Sequence, residues 1–419
     1  MLIRRRVEPS SIFIFIIFFF LWLPSLYIYY SKLYINLWIQ TSFAKYDSAA
    51  LLFFVLTSIS IVFYFLGVIF WKVFIDKNTS SAFAFKKLRL FIPDRASAPF
   101  LPVRNKHSNA GLIRILSYIS LFFIFVYILN GGFQKIFLLG SDLSKMEFRF
   151  AETFADENSG IMALLQIARR VFLPLIIVVY AVFITFDKSS NKLFFRFLIL
   201  AFFISVLITL DRAPLITFLL VFAYLWFLKA KIDIYFIYKI PILIILVMLF
   251  GGTMTFIQHN ITAFSLFEVF GTGLEFLWRR IWAAPTIVGI ELSTHLFPVD
   301  SVKLNLQHSR IMALFGFERV GSQSDASIYV GPVSYIGDVW RNLGFTGVIA
   351  VSFLLGILLS FFDYVCRKIQ LPYAAGIGIM TITFAFYLTH GVFFSMGVFF
   401  QMFFMLFFGV YSLNFYRPK

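Results

Sequence analysis

Apolar residues run along this chain in long unbroken stretches, not in the alternation of a strand or the narrow stripe of a surface helix. A stretch of about 18 residues or more is long enough to cross a bilayer as a helix. Ten candidates are predicted, at roughly 12–30, 49–71, 113–131, 162–186, 196–210, 213–228, 240–257, 344–364, 372–390 and 393–415. The fifth and sixth are short, nearly touch at Asp211-Arg212 and read as a helical hairpin turning close to the membrane. Two short extra helices would raise the number to 12 without changing the sidedness. No internal repeat stands out. The first stretch lacks a small-residue cleavage site behind it and is expected to be an anchor. The expected fold is therefore all-α: a single polytopic membrane domain over 1–419, with 10–12 spans.

Composition sharpens this expectation. Of 419 residues, 61% are hydrophobic and 13% charged, and 60 are Phe. Soluble domains are nearer a quarter charged, so a soluble globular protein and a disordered chain are both excluded. The mean hydropathy is +0.90. The single cysteine, Cys366, excludes an intramolecular disulfide and a cysteine-based metal site.

The net charge of +16 reads as topology, not nucleic-acid binding. With Arg4-Arg5-Arg6 in the cytoplasm and ten alternating spans, 22 basic and 6 acidic residues fall inside, and 14 of each fall outside. The whole excess then lies on one face, and both termini are cytoplasmic. The basic segment 73–112 becomes a cytoplasmic loop facing lipid headgroups. Outside lie a loop over 131–160 and a larger one over 258–343, where amphipathic helices are expected. Loops that long are usually functional.

The outer side is rich in arginine, the residue suited to planar, bidentate recognition of phosphate. Arg149, Arg169, Arg170, Arg212, Arg279, Arg280, Arg310, Arg319 and Arg341 fall there or at its boundary. Salt bridges to outer carboxylates are the alternative role. Arg169 and Arg170 sit within an apolar stretch, and Arg212 lies between two apolar arms. An arginine at such depth costs several kcal/mol, roughly 2.5 or more, unless it meets a polar cavity or partner. For Arg212 the partner is either Asp211 or an anion at headgroup level. Each outer loop also holds an arginine followed by ten residues and a glycine: Arg149 to Gly160, and Arg310 to Gly321.

Few groups suit general-base work. His308, two residues before Arg310, is the preferred candidate; His259, His295 and His390 are others. Carboxylates beside arginines, such as Glu147, Glu152, Glu318 and Asp325, are held ionised and are weak bases. No metal-ligand spacing and no nucleotide-binding glycine pattern is present. No cofactor, metal or nucleic-acid partner is expected. Trp278, Trp282, Tyr329 and Trp340 are candidates for stacking on sugars or for anchoring at the interface.

Together these residues resemble the Wzy O-antigen polymerases. The shared features are a polytopic chain of this size, the two arginine-to-glycine spacings and the hairpin arginine in Asp211-Arg212-Ala-Pro-Leu. Tyr335-Ile-Gly-Asp338-Val-Trp-Arg-Asn-Leu-Gly344-Phe-Thr-Gly347 is similar to the Gly-Asp…Asn-x-Gly-x-x-Gly approach into a late span of those enzymes. The resemblance covers the middle and C-terminal two thirds.

It implies a metal-independent glycosyltransferase of the bacterial inner membrane, acting at the periplasmic face. The donor would be a glycan on undecaprenyl diphosphate and the acceptor a repeat unit on a second such carrier. A Wzz-type chain-length regulator would be a partner. Arg212, and after it Arg170, Arg149 and Arg310, would hold the leaving diphosphate, with Arg169, Arg279, Arg280 and Arg319 as further substrate contacts. His308 would be the base, and direct attack would invert the anomeric centre. Rival readings are an O-antigen ligase, a flippase or transporter of the lipid-linked unit, and a transferase using a polyprenyl phosphate sugar.

Overall fold

The computed structural model describes residues 8–31, 43–76, 265–295, 334–369, 371–390 and 396–414, with scattered positions between 117 and 253. Among these residues there are helices and no strands. Among the described residues, three helices are long and apolar enough to cross a membrane: Pro9–Ser31, Asp47–Ile75 and Leu343–Lys368. They coincide with the predicted stretches at 12–30, 49–71 and 344–364. The chain is thus all-helical where described, and transmembrane in character. The stretches predicted at 372–390 and 393–415 are helical over Leu371–His390 and Met396–Asn414. The other five predicted spans, at 113–131, 162–186, 196–210, 213–228 and 240–257, and the loops at 73–112 and 131–160 lie largely outside the described residues.

The first span is α1 (Pro9–Ile17), a π-helical turn (Phe18–Trp22) and α2 (Leu23–Ser31). The second is α3 (Phe43–Phe70), which ends in another π-helical segment, Trp71–Asp76. Then come α4 (Leu266–Phe276), a π-helical segment (Leu277–Ala283), α5 (Ala284–His295), α6 (Tyr335–Lys368), α7 (Leu371–His390) and α8 (Met396–Asn414). The helices form two compact units. One holds residues 100–277, the other the chain on either side.

In the unit built from the two ends of the chain, α3 and α6 form the central pair. Their directions follow from their contacts. Ser60 meets Ser352 at 2.8 Å, a β-carbon on Gly356 would strike the Tyr64 carbonyl, and Trp71 stacks edge-on to Phe361. Both sets of numbers rise together, so the helices are parallel. The first span runs antiparallel to α3: Ser25 pairs with Thr57, Trp22 donates to Ser58, and Tyr64 donates to the Ser10 carbonyl. Phe13 and Phe20 of the first span lie against Phe384 and Phe386 of α7, in parallel order.

Asp363 ties the far ends of this unit together. Glu8 at the N-cap of α1 makes no side-chain cap bond, and Pro9 has no N–H to offer. The Asp363 carboxylate caps the helix instead. It accepts from the Ser10 backbone N–H at 2.9 Å and from the Ser10 hydroxyl. Removing it would strand two buried donors, at a cost of about 1–3 kcal/mol.

In the unit over 100–277, α4 opens with a capping box. Glu268 N–H donates to Ser265 Oγ, and Ser265 N–H donates to Glu268 Oε2 at 2.7 Å. These bonds to Ser265 hold the Glu268 carboxyl below its ordinary range. Gly252 and Gly273 let α4 touch the stretch around Met248 backbone to backbone. The segment 258–343, which the sequence assigns to the outer side, thus contains helix over 266–295.

Candidate functional site

Most sequence-predicted site residues lie outside the described residues: Arg149, Arg169, Arg170, Arg212, His308, Arg310 and Arg319. Arg279 and Arg280 are placed by their backbone, on the π-helical segment Leu277–Ala283. Such turns are rare and recur at functional sites. The two arginines sit between Trp278 and Trp282, whose rings stack at 4.6 Å, and both rings pack on Tyr27 at 5.5 Å. Trp282 donates its indole N–H to the Phe19 carbonyl at 3.1 Å, within the π-helical turn of the first span. Farther on, Gly289 takes the Phe53 ring against its backbone, and neighbouring Phe54 stacks on Tyr29. The segment from Trp278 to Gly289 therefore packs on the first and second spans. Trp278 and Trp282 form an aromatic ledge on the first span between Phe19 and Tyr27.

The second feature is α6 itself. Gly344 has φ 65° and ψ −159°, and it divides the helix into two arms. A straight helix would hold Tyr335 and Ser352 about 25 Å apart. Instead Ser60 takes both, bonding the Tyr335 hydroxyl at 2.5 Å and the Ser352 hydroxyl at 2.8 Å. The arm Tyr335–Leu343 must therefore fold back beside the span that follows it. Ser334, fully buried, caps its start by accepting from the Gly337 N–H. Tyr335, Ile336, Asp338 and Val339 are buried as well. The chain thus arrives at Ser334 part-way down the bundle, climbs to Gly344, and turns back as the long span. Residues 335–343, which the sequence assigns to the end of the outer loop, form a buried half-helix.

Both glycines of the Gly-x-x-Gly pair have a job in this turn. That backbone region at Gly344 is open essentially to glycine alone. A β-carbon on Gly347 would strike the Leu343 side chain across the turn. Space is not the constraint at Gly344, because nothing lies within 4 Å of where its β-carbon would be. The same is true of Gly271 in α4, which has ordinary helical φ. Gly344→Ala should therefore lower stability by about 1–3 kcal/mol from backbone strain, and Gly271→Ala should leave it unchanged or slightly raised. Paired thermal melts of the purified full chain decide the matter. Equal melts for the two variants would mean that the turn is not fixed by Gly344.

Asp338 is the functional candidate that sequence reasoning passed over. It lies in the first turn of the half-helix and is 4% exposed. Ionisable groups inside a membrane bundle are costly and usually tied to function. Its neighbours Trp340 and Arg341 lie on the same arm. His390, another candidate, ends α7. Its ring stacks on Phe386 at 4.2 Å, and Nδ1 lies 2.6 Å from the Thr389 hydroxyl. No protein-family model matches this chain, and no curated protein or solved structure is significantly similar to it.

Proposed function

We propose that this protein is a lipid-linked oligosaccharide polymerase of the bacterial inner membrane, extending an O-antigen or related surface glycan at the periplasmic face. One observation carries the reading. The stretch that resembles the polymerases, Gly337 to Gly347, is the one where the described backbone breaks its helix, at Gly344, and buries an acid, Asp338. The parallel run of α3 and α6 agrees with the expected topology. If both cross the membrane in the same direction, the chain between them crosses it an odd number of times, and ten spans place five there.

In this reading the acceptor hydroxyl attacks the anomeric carbon of the donor sugar. The new glycosidic bond forms as the bond to the carrier diphosphate breaks. The hydroxyl proton passes to a base, for which His308 is the candidate, and the electron pair leaves on the diphosphate. Fixed guanidinium groups stabilise that leaving charge without a metal. The energy comes from the glycosyl-diphosphate bond, so no nucleotide is required. The aromatic ledge of Trp278 and Trp282 would support the glycan, with Arg279 and Arg280 beside it. A Wzz-type regulator would act on the same complex.

The half-helix also favours a second reading, a transporter of the lipid-linked unit. Broken helices that begin near the membrane midplane are a recurrent transporter device. Deletion of the gene, with complementation, separates the possibilities on a gel of surface glycan. A polymerase predicts a ladder that collapses to core plus one repeat and returns with the gene. Loss of every repeat, with single lipid-linked units trapped inside, would replace it by the transporter. Loss of every repeat with lipid-linked polymer accumulating would replace it by a ligase, and an unchanged ladder would overturn the O-antigen assignment.

A further inference from the structure

Where the first span begins, at Glu8, lies a small pocket that the proposed reaction does not use. Glu8, Trp71, Lys72, Ser360, Asp363 and Arg367 line it, and it is partly open to solvent. The three candidate spans place it at one depth. Glu8 immediately precedes the first span, Lys72 lies near the end of the second, and Arg367 near the end of the third. This is the level of lipid headgroups, where tryptophan and the long cations gather.

The lining carries both signs of charge. Lys72 and Arg367 are exposed cations, Glu8 is an exposed carboxylate, and Asp363 is a buried one at 7% exposure. Asp363 already accepts from Ser10, yet each carboxylate oxygen has two acceptor directions. Two further polar groups in the wall are buried and find no hydrogen-bond partner among the described residues: the Ser360 hydroxyl and the Trp71 indole N–H. Ser360 is 1% exposed. Buried polar atoms are nearly always paired, so orphans that share one pocket point to something that fills it.

A plain anion would suit Lys72 and Arg367 but not the two carboxylates. A plain cation would suit the carboxylates but not the two basic groups. We infer that the pocket holds the zwitterionic headgroup of an aminophospholipid, a phosphodiester beside a primary ammonium. Lys72, Arg367 and the Trp71 N–H meet the phosphate, and Glu8, Asp363 and the Ser360 hydroxyl meet the ammonium. A primary ammonium brings N–H donors that the quaternary ammonium of phosphatidylcholine lacks.

The test uses the full-length protein, stripped of lipid in detergent and titrated by native mass spectrometry. The probes are phosphatidylethanolamine, phosphatidylcholine and phosphatidylglycerol with the same acyl chains. Phosphatidylethanolamine should bind about tenfold more tightly than phosphatidylcholine, the worth of one charge-assisted hydrogen bond. A Glu8→Gln, Lys72→Gln double variant should lose that preference with its melting unchanged, since both side chains are exposed. Ser360→Ala should reduce it. Equal binding of the first two lipids would overturn the inference. So would tighter binding of phosphatidylglycerol, which would mark a simple anion patch, or a preference that survives in the double variant.

Discussion

Gly356→Ala should be among the most damaging single changes in this protein, and Gly67→Ala should nearly match it. A β-carbon on Gly356 strikes the Tyr64 carbonyl, and one on Gly67 strikes the Phe353 carbonyl. Both obstacles are backbone, which cannot swing aside as a side chain would. The only relief is for α3 and α6 to move apart. That separation would loosen everything the pair holds in register, including the Ser60 bonds to Tyr335 and Ser352 and the edge-on contact of Trp71 with Phe361. Between membrane helices, close approach through small residues is itself a main source of attraction. Overpacking of a core costs about 1–3 kcal/mol and occasionally more, and a backbone obstacle belongs at the upper end.

The double variant distinguishes this account from two unrelated defects. Gly67 and Gly356 face each other, and the β-carbon built on Gly67 comes within 3.2 Å of the Gly356 α-carbon. Once one alanine has forced the helices apart, the second meets open space. The combined loss should therefore fall well short of the sum of the two, by about 1 kcal/mol or more. Melting of the purified chain, with the recovered monodisperse fraction, reads all three variants. Additive losses would mean that the glycines act separately and that the α3–α6 contact is not one event.

The long apolar spans were legible in the sequence because nothing else can be done with such stretches. The half-helix was harder to see. Gly337, Asp338, Arg341 and Asn342 give residues 335–343 the look of a polar loop. Yet Tyr335, Ile336, Val339, Trp340 and Leu343 recur at helical spacing, and Tyr335, Ile336 and Val339 are buried. That period was the available signal. What it lacked was any sign of the fold-back, which depends on one dihedral at Gly344 and on Ser60, a residue far away in sequence. Asp363 was illegible for the same kind of reason. Beside Arg367 and Lys368 it reads as one more charge at a membrane boundary. Its partner, Ser10, is 353 positions away, and only the fold shows that it caps the first helix. The reasoning behind the arginine set is different: it rests on the cost of burying charge and on the resemblance.

On the proposed polymerase function, Arg212→Ala should lower the polymerisation rate by about 10²–10³-fold, the usual loss when one donor to a developing negative charge is removed. The arginine lies between two apolar arms, at Asp211-Arg212. Its charge is best accounted for by a permanent partner or by a substrate anion, and the two possibilities separate cleanly. If Arg212 only pairs with Asp211, then Asp211→Ala should be as harmful as Arg212→Ala, and both should act through the amount of folded protein. If Arg212 holds the leaving diphosphate, Asp211→Ala should retain most of the rate, and Arg212→Ala should lose it at normal protein levels. The loss should fall on kcat more than KM, because negative charge builds on the leaving oxygen between the bound substrate and the transition state. Arg212→Lys should recover part of the rate but not all of it. Lysine restores the charge as a point, without the planar fork that takes two phosphate oxygens together. Proteoliposomes supplied with a lipid-linked repeat unit, and read by product ladder against protein quantity, give all of these values. A full rate in Arg212→Ala, or equal losses in the two alanine variants, would remove Arg212 from the chemistry and leave it a structural ion pair.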